Sequence, residues 1–241
     1  MNSLTGIVLV GGLGARSRSG FLSGPKSMAP VGDRPFLEHL LAKLSVDGIR
    51  QVVLCVGYRR SEVQGHFHKG TKWGLELRYC VEEQLLGDAG AVKKAARMID
   101  APALFVFNGS SVVGLDVHAM WDFHHSRSAL ATMALVASKK SSLYRRVLTG
   151  NNGAITGLRN EQSGNGHENA KGLVNAGAYL LSRQFIDLIP DGRPVSMEGE
   201  MLPMAIGSGL YGFVTDGPFL DLGIPDDLAR AQHELPMRWK A

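Results

Sequence analysis

Gly6-Ile7-Val8-Leu9-Val10-Gly11-Gly12-Leu13-Gly14-Ala15-Arg16 carries an unbroken apolar run into a glycine-rich turn and then into a cation. Such a run, with no polar alternation, describes a buried strand. Glycine lets a backbone come close to an anion and aim its N–H groups at it. Arg16, Arg18 and Lys26 arrive within one connection, the arginines as planar forks and the lysine as a point charge. The glycines alone are equally compatible with a plain turn and solvated arginines. The three cations favour a phosphate site.

Two better-known phosphate loops do not fit. The dinucleotide pattern G-x-G-x-x-G matches at Gly12 and Gly14, but its third glycine falls at Ser17. The Walker pattern needs Gly directly before Lys, and here Pro25 stands between Gly24 and Lys26.

Working outward, strands and helices alternate through the first half. Leu37, Leu40, Leu41 and Leu44 share one helical face, which Gly48 ends. Strands are expected at Gln51–Val56, Leu75–Val81 and Ala103–Asn108. Between and after them come helices at Ser61–Phe67, from Gly90, and near Val117–Ser126. This rhythm implies a mainly parallel sheet covered on both faces, with ligands at the carboxyl ends of the strands. Beyond Ala131 the texture changes to strands at Ala131–Ala137, after Tyr144, at Ile155–Leu158 and at Val174–Leu181, with an Asn152-Gly153 hairpin turn. Residues 160–171 are polar and read as a loop or lid; helices follow around Arg183–Ile189, Met197–Ile206 and from Asp226.

Bulk properties narrow the class. With 241 residues and 44% hydrophobic composition, the chain can bury a sizeable core. Its net charge of +4 is spread over pairs such as Arg59-Arg60 and Arg145-Arg146, without interleaved aromatics, so nucleic acid is not an expected partner. Two cysteines, Cys55 and Cys80, in apolar runs suggest a reducing compartment. No stretch approaches the roughly 20 apolar residues of a membrane span, and residues 1–10 have no signal-peptide pattern. A cytoplasmic protein is expected.

Five segments together resemble the sugar-1-phosphate nucleotidyltransferases: LVGGLGAR from Leu9 with GPKSMAPV from Gly24, EEQLLGDAGAV from Glu82, Asn108-Gly109, VNAGAYLL from Val174, and FLDLGIPDDLARA from Phe219. The chain looks most like the heptose 1-phosphate guanylyltransferases of that family. The resemblance implies a single Rossmann-like, three-layer α/β/α domain (glycosyltransferase-A-like), with residues 1–130 as the nucleotide half and 131–241 as the sugar-phosphate half. It also implies attack of a sugar 1-phosphate on the α-phosphorus of a nucleoside triphosphate, GTP by analogy, in cytoplasmic nucleotide-sugar biosynthesis. Such sugars feed capsule, lipopolysaccharide or glycoside synthesis, and the family's assembly habit suggests a homo-oligomer. Catalysis of this kind is positioning and charge stabilisation.

On the same resemblance, Arg16 and Lys26 are the catalytic cations. Leu9, Gly11, Gly12, Gly14, Gln84, Gly87, Asn108 and Gly109 hold the nucleotide. Lys171, Asn175 and Glu198 hold the sugar phosphate, and Asp221 with Ser110 holds Mg²⁺. Plainer roles compete: Asp221 as a partner for the helix at Pro225, Glu198 as a cap pair with Ser196, Asp226 and Asp227 as first-turn charges, and Met197, Met201 and Met204 as core. No histidine spacing matches a zinc site. The chain departs from the family where Asn-Gly-Asp has become Asn108-Gly109-Ser110, and where Glu-Glu-Lys has become Asn160-Glu161-Gln162. These departures leave two readings: an active transferase, or a catalytically weak paralogue that binds a nucleotide sugar in a regulatory or subunit role. The missing third glycine disfavours a dinucleotide-linked oxidoreductase.

Overall fold

The computed structural model describes residues 4–11, 25–138, 144–159 and 172–238, with side chains to Leu235. Strand β1 (Leu4–Leu9) is followed by a small hairpin, β2 (Pro30–Val31) and β3 (Arg34–Pro35), which leads into α1 (Phe36–Val46). Then come β4 (Ile49–Val56), α2 (Arg60–Phe67), β5 (Glu76–Val81), α3 (Gly87–Ala96) and β6 (Ala103–Asn108). A short β7 (Ser111–Val113) precedes α4 (Val117–Ser126), β8 (Ala131–Ser138), β9 (Arg146–Thr149) and β10 (Ile155–Arg159). The long β11 (Gly172–Ser182) enters α5 (Arg183–Asp187), and a π-turn at Met197–Met201 continues as α6 (Leu202–Met204). The described chain closes with β12 (Leu210–Val214), β13 (Phe219–Asp221) and α7 (Pro225–Arg238).

Nine strands form one mixed sheet in the order β10-β9-β11-β6-β1-β4-β5, with β8 on β11 and β12 on β8. The pairings of β1 with β4 and β6, and of β4 with β5, are parallel, as the βαβ rhythm predicts. Strand β11 runs antiparallel to both β6 and β8. Both faces are covered because apolar residues project both ways. Ile7, Leu104 and Val106 pack with α3, α5 and the π-turn, whereas Val8, Phe105 and Phe107 pack with α1, α2, α4 and α7. The result is the expected three-layer α/β/α arrangement.

The leucine face of α1 is buried as its spacing predicts, and Gly48 takes a left-handed φ of 91° after it. Gly153 does the same at the β9–β10 turn, with φ 81°. Some boundaries differ. Helix α3 starts at Gly87 rather than Gly90 and ends before Ile99. Met204 is 54% exposed and is not a core residue, whereas Met197 and Met201 are buried. The polar face of α1 is also buried around a network that its periodicity does not announce. Glu38 accepts from His66 Nε2 at 2.9 Å and lies 3.5 Å from Lys72 Nζ and 3.8 Å from an Arg34 nitrogen.

Burial alone would push the Glu38 carboxyl up. The His66 hydrogen bond and the Lys72 charge outweigh it, and its pKa falls below the usual 4.5. A carboxylate with a lowered folded-state pKa stabilises above its unfolded value, and that stability is lost as pH falls through the folded value. Glu38→Gln is therefore expected to lower the melting temperature at pH 7. The difference from the parent chain should shrink below about pH 4.5 in parallel thermal melts.

Candidate active site

Two cavities open at the carboxyl ends of the central strands, and Asn108 at the end of β6 lines both. The first, of about 220 Å³, lies between the ends of β1 and β6 and the start of α3. Its floor is backbone. Gly109 N–H donates to the Leu9 carbonyl at 2.9 Å, and a Cβ at Gly109 would stand 2.6 Å from that oxygen. A Cβ on Gly11 would meet the Glu82 carboxylate at 2.8 Å. Gly87 has φ 71°, and a Cβ there would come within 2.3 Å of the Val195 carbonyl. Gly87 and Gly109 are thus required by close approach of backbone, while Gly11 is crowded by the flexible Glu82 side chain and, at 3.0 Å, by Gly57 N.

Leu9, Gly11, Gly87, Asn108 and Gly109, the described candidates for the nucleotide, border this first cavity together with Ser110, the candidate metal residue. Gln84 does not: it is exposed, and Glu82 and Leu85 line the wall instead. A turn that ends on Gly87 turns Gln84 outward and leaves Glu82, the residue just after β5, facing in. Burial raises the Glu82 pKa, partly offset by the Leu86 backbone N–H and by Lys94. Asp88 borders the same space. Its Oδ1 accepts from Met197 N at 2.7 Å and Ala89 N at 3.0 Å, tying the start of α3 to the π-turn.

The second cavity, about 210 Å³, opens where β11 bulges between Asn175 and Tyr179 and leaves the edge of β6. Gly177 sits in the bulge with φ 73°, and a Cβ there would fall 2.4 Å from Ser111 Oγ and 2.9 Å from Asn108 Nδ2. Asn175 and Glu198 both line the cavity, and they are joined: Asn175 Nδ2 donates to Glu198 Oε1 and, at 2.6 Å, to the Tyr179 hydroxyl. That hydroxyl also donates to Glu198 Oε1 at 3.2 Å. Burial, reinforced by the Glu198 charge, raises the Tyr179 pKa well above its ordinary value, so the phenol stays neutral. The cap pair beside it is Ser196 with Glu200, not Glu198. Ser196 Oγ accepts from Gly199 N, and Glu200 Oε1 accepts from Ser196 N, both near 3.0 Å. Glu198 is released to face the cavity.

Asp221 ends β13, which pairs antiparallel with β7 so that Asp221 lies opposite Ser111. Leu222 N–H also donates to the Ser110 carbonyl at 2.9 Å, so Ser110 and Asp221 are neighbours. Asp221 Oδ1 accepts from Gly223 N at 2.8 Å, a turn role, and Oδ2 accepts from none of the described residues. Asp227 is more than a first-turn charge. It is buried, accepts from Asp221 N and the Tyr144 hydroxyl, and pairs with Arg230 at 3.0 Å. Among the described residues no three His, Cys, Asp or Glu side chains form a metal cluster. Lys26, at the start of a one-turn helix, is close enough to Asp221 to act on its titration. Gly12, Gly14, Arg16, Arg18, Lys171 and the 160–171 loop lie outside the described residues. Tyr144, Arg145 and Tyr179 also line or support the second cavity, and the sequence offered no spacing that singles them out.

A nucleotidyl transferase family model matches residues 5–237. A mannose-1-phosphate guanylyltransferase from Mycobacterium tuberculosis is 34% identical over 95% of this chain, which spans 64% of that protein. A D-glycero-alpha-D-manno-heptose 1-phosphate guanylyltransferase from Aneurinibacillus thermoaerophilus is 33% identical over 95% of this chain and 97% of its own length. The crystal structure of HddC from Yersinia pseudotuberculosis complexed with GMP-PN superposes with a TM-score of 0.83 at 25% identity, over 95% of this chain and 98% of that one.

The Asp221 carboxyl is held above its usual 3.8 by burial, against the pull of the Gly223 N–H and Lys26. A raised folded-state pKa favours folding while the group is protonated, and that advantage is lost as pH rises through the folded value. At neutral pH the ionised group therefore costs stability. Asp221→Asn is expected to melt at or above the parent temperature at pH 7, with the gap closing towards pH 3.8. A clear loss of stability at pH 7 would contradict this account.

Proposed function

The chain belongs to the nucleotidyl transferase family, and on that premise we propose that it transfers a guanylyl group from GTP to a sugar 1-phosphate of the mannose or heptose type, releasing pyrophosphate. The observation that carries this reading is the pair of cavities meeting at Asn108, one backbone-lined and one built of hydroxyl-binding side chains. They suit a nucleotide and a sugar placed end to end. The two halves of the chain, 1–130 and 131–241, would divide the work between nucleotide and sugar phosphate.

In the first cavity, the Glu82 carboxylate beside Gly11 is an acceptor-only group in a half-buried wall. Guanine presents two adjacent donors, its N1–H and its amino group, where uracil and thymine present one. That matches GTP. Leu85 and Ala91 supply apolar surface for the ring. In the second cavity, Asn175 and Glu198 would hold sugar hydroxyls, with Tyr179 fixing both. Lys26, together with Arg16 and the backbone of the Gly11–Gly14 turn, would hold the triphosphate and stabilise charge at the α-phosphorus.

Asp221 has one oxygen accepting from a backbone N–H and the other directed to none of the described residues. A single carboxylate of this kind fits Mg²⁺, which keeps waters and takes further oxygens from substrate phosphates. Asp221 would hold the ion, with Ser110, whose backbone carbonyl accepts from Leu222 N, as the neighbouring candidate. Bound there, Mg²⁺ would neutralise phosphate charge and orient the leaving group. The attacking sugar phosphate would be kept in line by Asn175 and Glu198, and no covalent enzyme intermediate is needed.

Pyrophosphate release with GTP and either mannose 1-phosphate or the heptose 1-phosphate, dependent on Mg²⁺ and weaker with other triphosphates, is the expected outcome. Nucleotide binding without turnover on any pair would instead support the weak-paralogue reading. Ser110→Asp adds the second carboxylate that the family usually has, and it is expected to lower the Mg²⁺ concentration needed for half-maximal rate. An unchanged Mg²⁺ dependence would show that this position is not next to the ion.

A further inference from the structure

We propose that Arg145 is the side chain that binds the phosphate of the incoming sugar 1-phosphate. The proposal deepens the transferase reading and rests on it. Arg145 lines the second cavity together with Asn175, Glu198 and Asp221. Its Nη1 donates to the Glu198 backbone carbonyl, which fixes the guanidinium in place. Its Nε is buried and has no hydrogen-bond partner among the described residues. No carboxylate among those residues pairs with it either. A buried donor of this strength left unmatched is costly, and proteins normally meet one with a protein group, an ordered water or a ligand.

The chemistry of the cavity says which ligand. Glu198 Oε1 already accepts from Asn175 and Tyr179, and Asp221 is a carboxylate, so these groups suit hydroxyls and a cation. Arg145 is the cationic member of this lining, and a guanidinium fork matches two phosphate oxygens. Its position matches too. The preceding residue, Tyr144, packs its ring at a tilt against Phe219 of β13, centroids 5.5 Å apart, and donates to Asp227 Oδ2 at 3.2 Å. That same oxygen accepts from Asp221 N at 3.1 Å. Arg145 is therefore anchored, through its neighbour Tyr144, to the segment that carries Asp221, and both line the same cavity.

The test compares the parent chain with Arg145→Ala and Arg145→Lys by pyrophosphate release and by calorimetric titration with mannose 1-phosphate and with inorganic phosphate. Loss of the fork is expected to raise KM for the sugar 1-phosphate about 10- to 100-fold, the range for hydrogen bonds to charged groups. KM for GTP and the melting temperature should stay near the parent values, and lysine should restore part of the loss. A purely structural role would shift the GTP and melting readouts as well, and that result overturns the proposal. Unchanged sugar-phosphate KM in an active enzyme overturns it while the transferase reading stands. If the parent chain turns over no substrate pair, the transferase reading fails and titration decides: anion binding lost in Arg145→Ala supports the site, and equal or absent binding in both chains overturns it. Should Arg145→Ala not fold, Arg145→Lys carries the same comparison, with a smaller rise expected and no rise overturning it.

Discussion

The hydrogen bond from Gly109 N–H to the Leu9 carbonyl is the contact on which the rest of the site depends. It lets the ends of β1 and β6 close against each other with no side chain between them, because a Cβ at Gly109 would lie 2.6 Å from the oxygen. With the strand ends closed, Asn108 projects at the boundary of both cavities and the chain turns at once into β7. The β7–β13 ladder then brings Asp221, from more than a hundred residues later, opposite Ser111, and Leu222 N–H bonds the Ser110 carbonyl. Parallel strands cannot make such a corner by hairpins. They reach it through crossovers that leave their carboxyl ends free for ligands.

Much of this was legible in the residues, and the reasons are local. The Ile7–Val10 run, the leucine face of α1 and the Ala103–Asn108 strand bury what their periodicity marks, because burial on one or two faces is written directly into spacing. Glycines at 87 and 109 sit where only glycine tolerates the close approach of backbone. Gln84 was misplaced because which residues of a turn face inward depends on where α3 begins, and that start is fixed by contact with Val195 from far along the chain. Glu198 and Glu200 could not be told apart from sequence, since either could close a cap on Ser196. Arg145 carried no local signal, as it is a cavity residue only through the placement of β9 against β11.

Charge at the site is distributed differently from the pattern the family resemblance suggested. The acid missing at Ser110 leaves Asp221 as the carboxylate at the end of this ladder, and its neighbour Asp227 is committed to Arg230, Tyr144 and the Asp221 backbone. On the other wall, Arg145 adds a cation next to Glu198. The lining of the second cavity therefore carries the carboxylates Glu198 and Asp221 together with the guanidinium of Arg145.

The start of α3 and the segment before Glu198 are stitched together by three bonds: Ala89 N to the Val195 carbonyl, Val195 N to the Leu86 carbonyl, and Met197 N to Asp88 Oδ1. One side of this stitch walls the first cavity and the other positions Glu198 at the second. The two cavities are therefore not separable modules in this chain. A lineage or an engineer that reshapes residues 86–89 also moves the frame of residues 195–198, so the shapes of the two cavities must drift together.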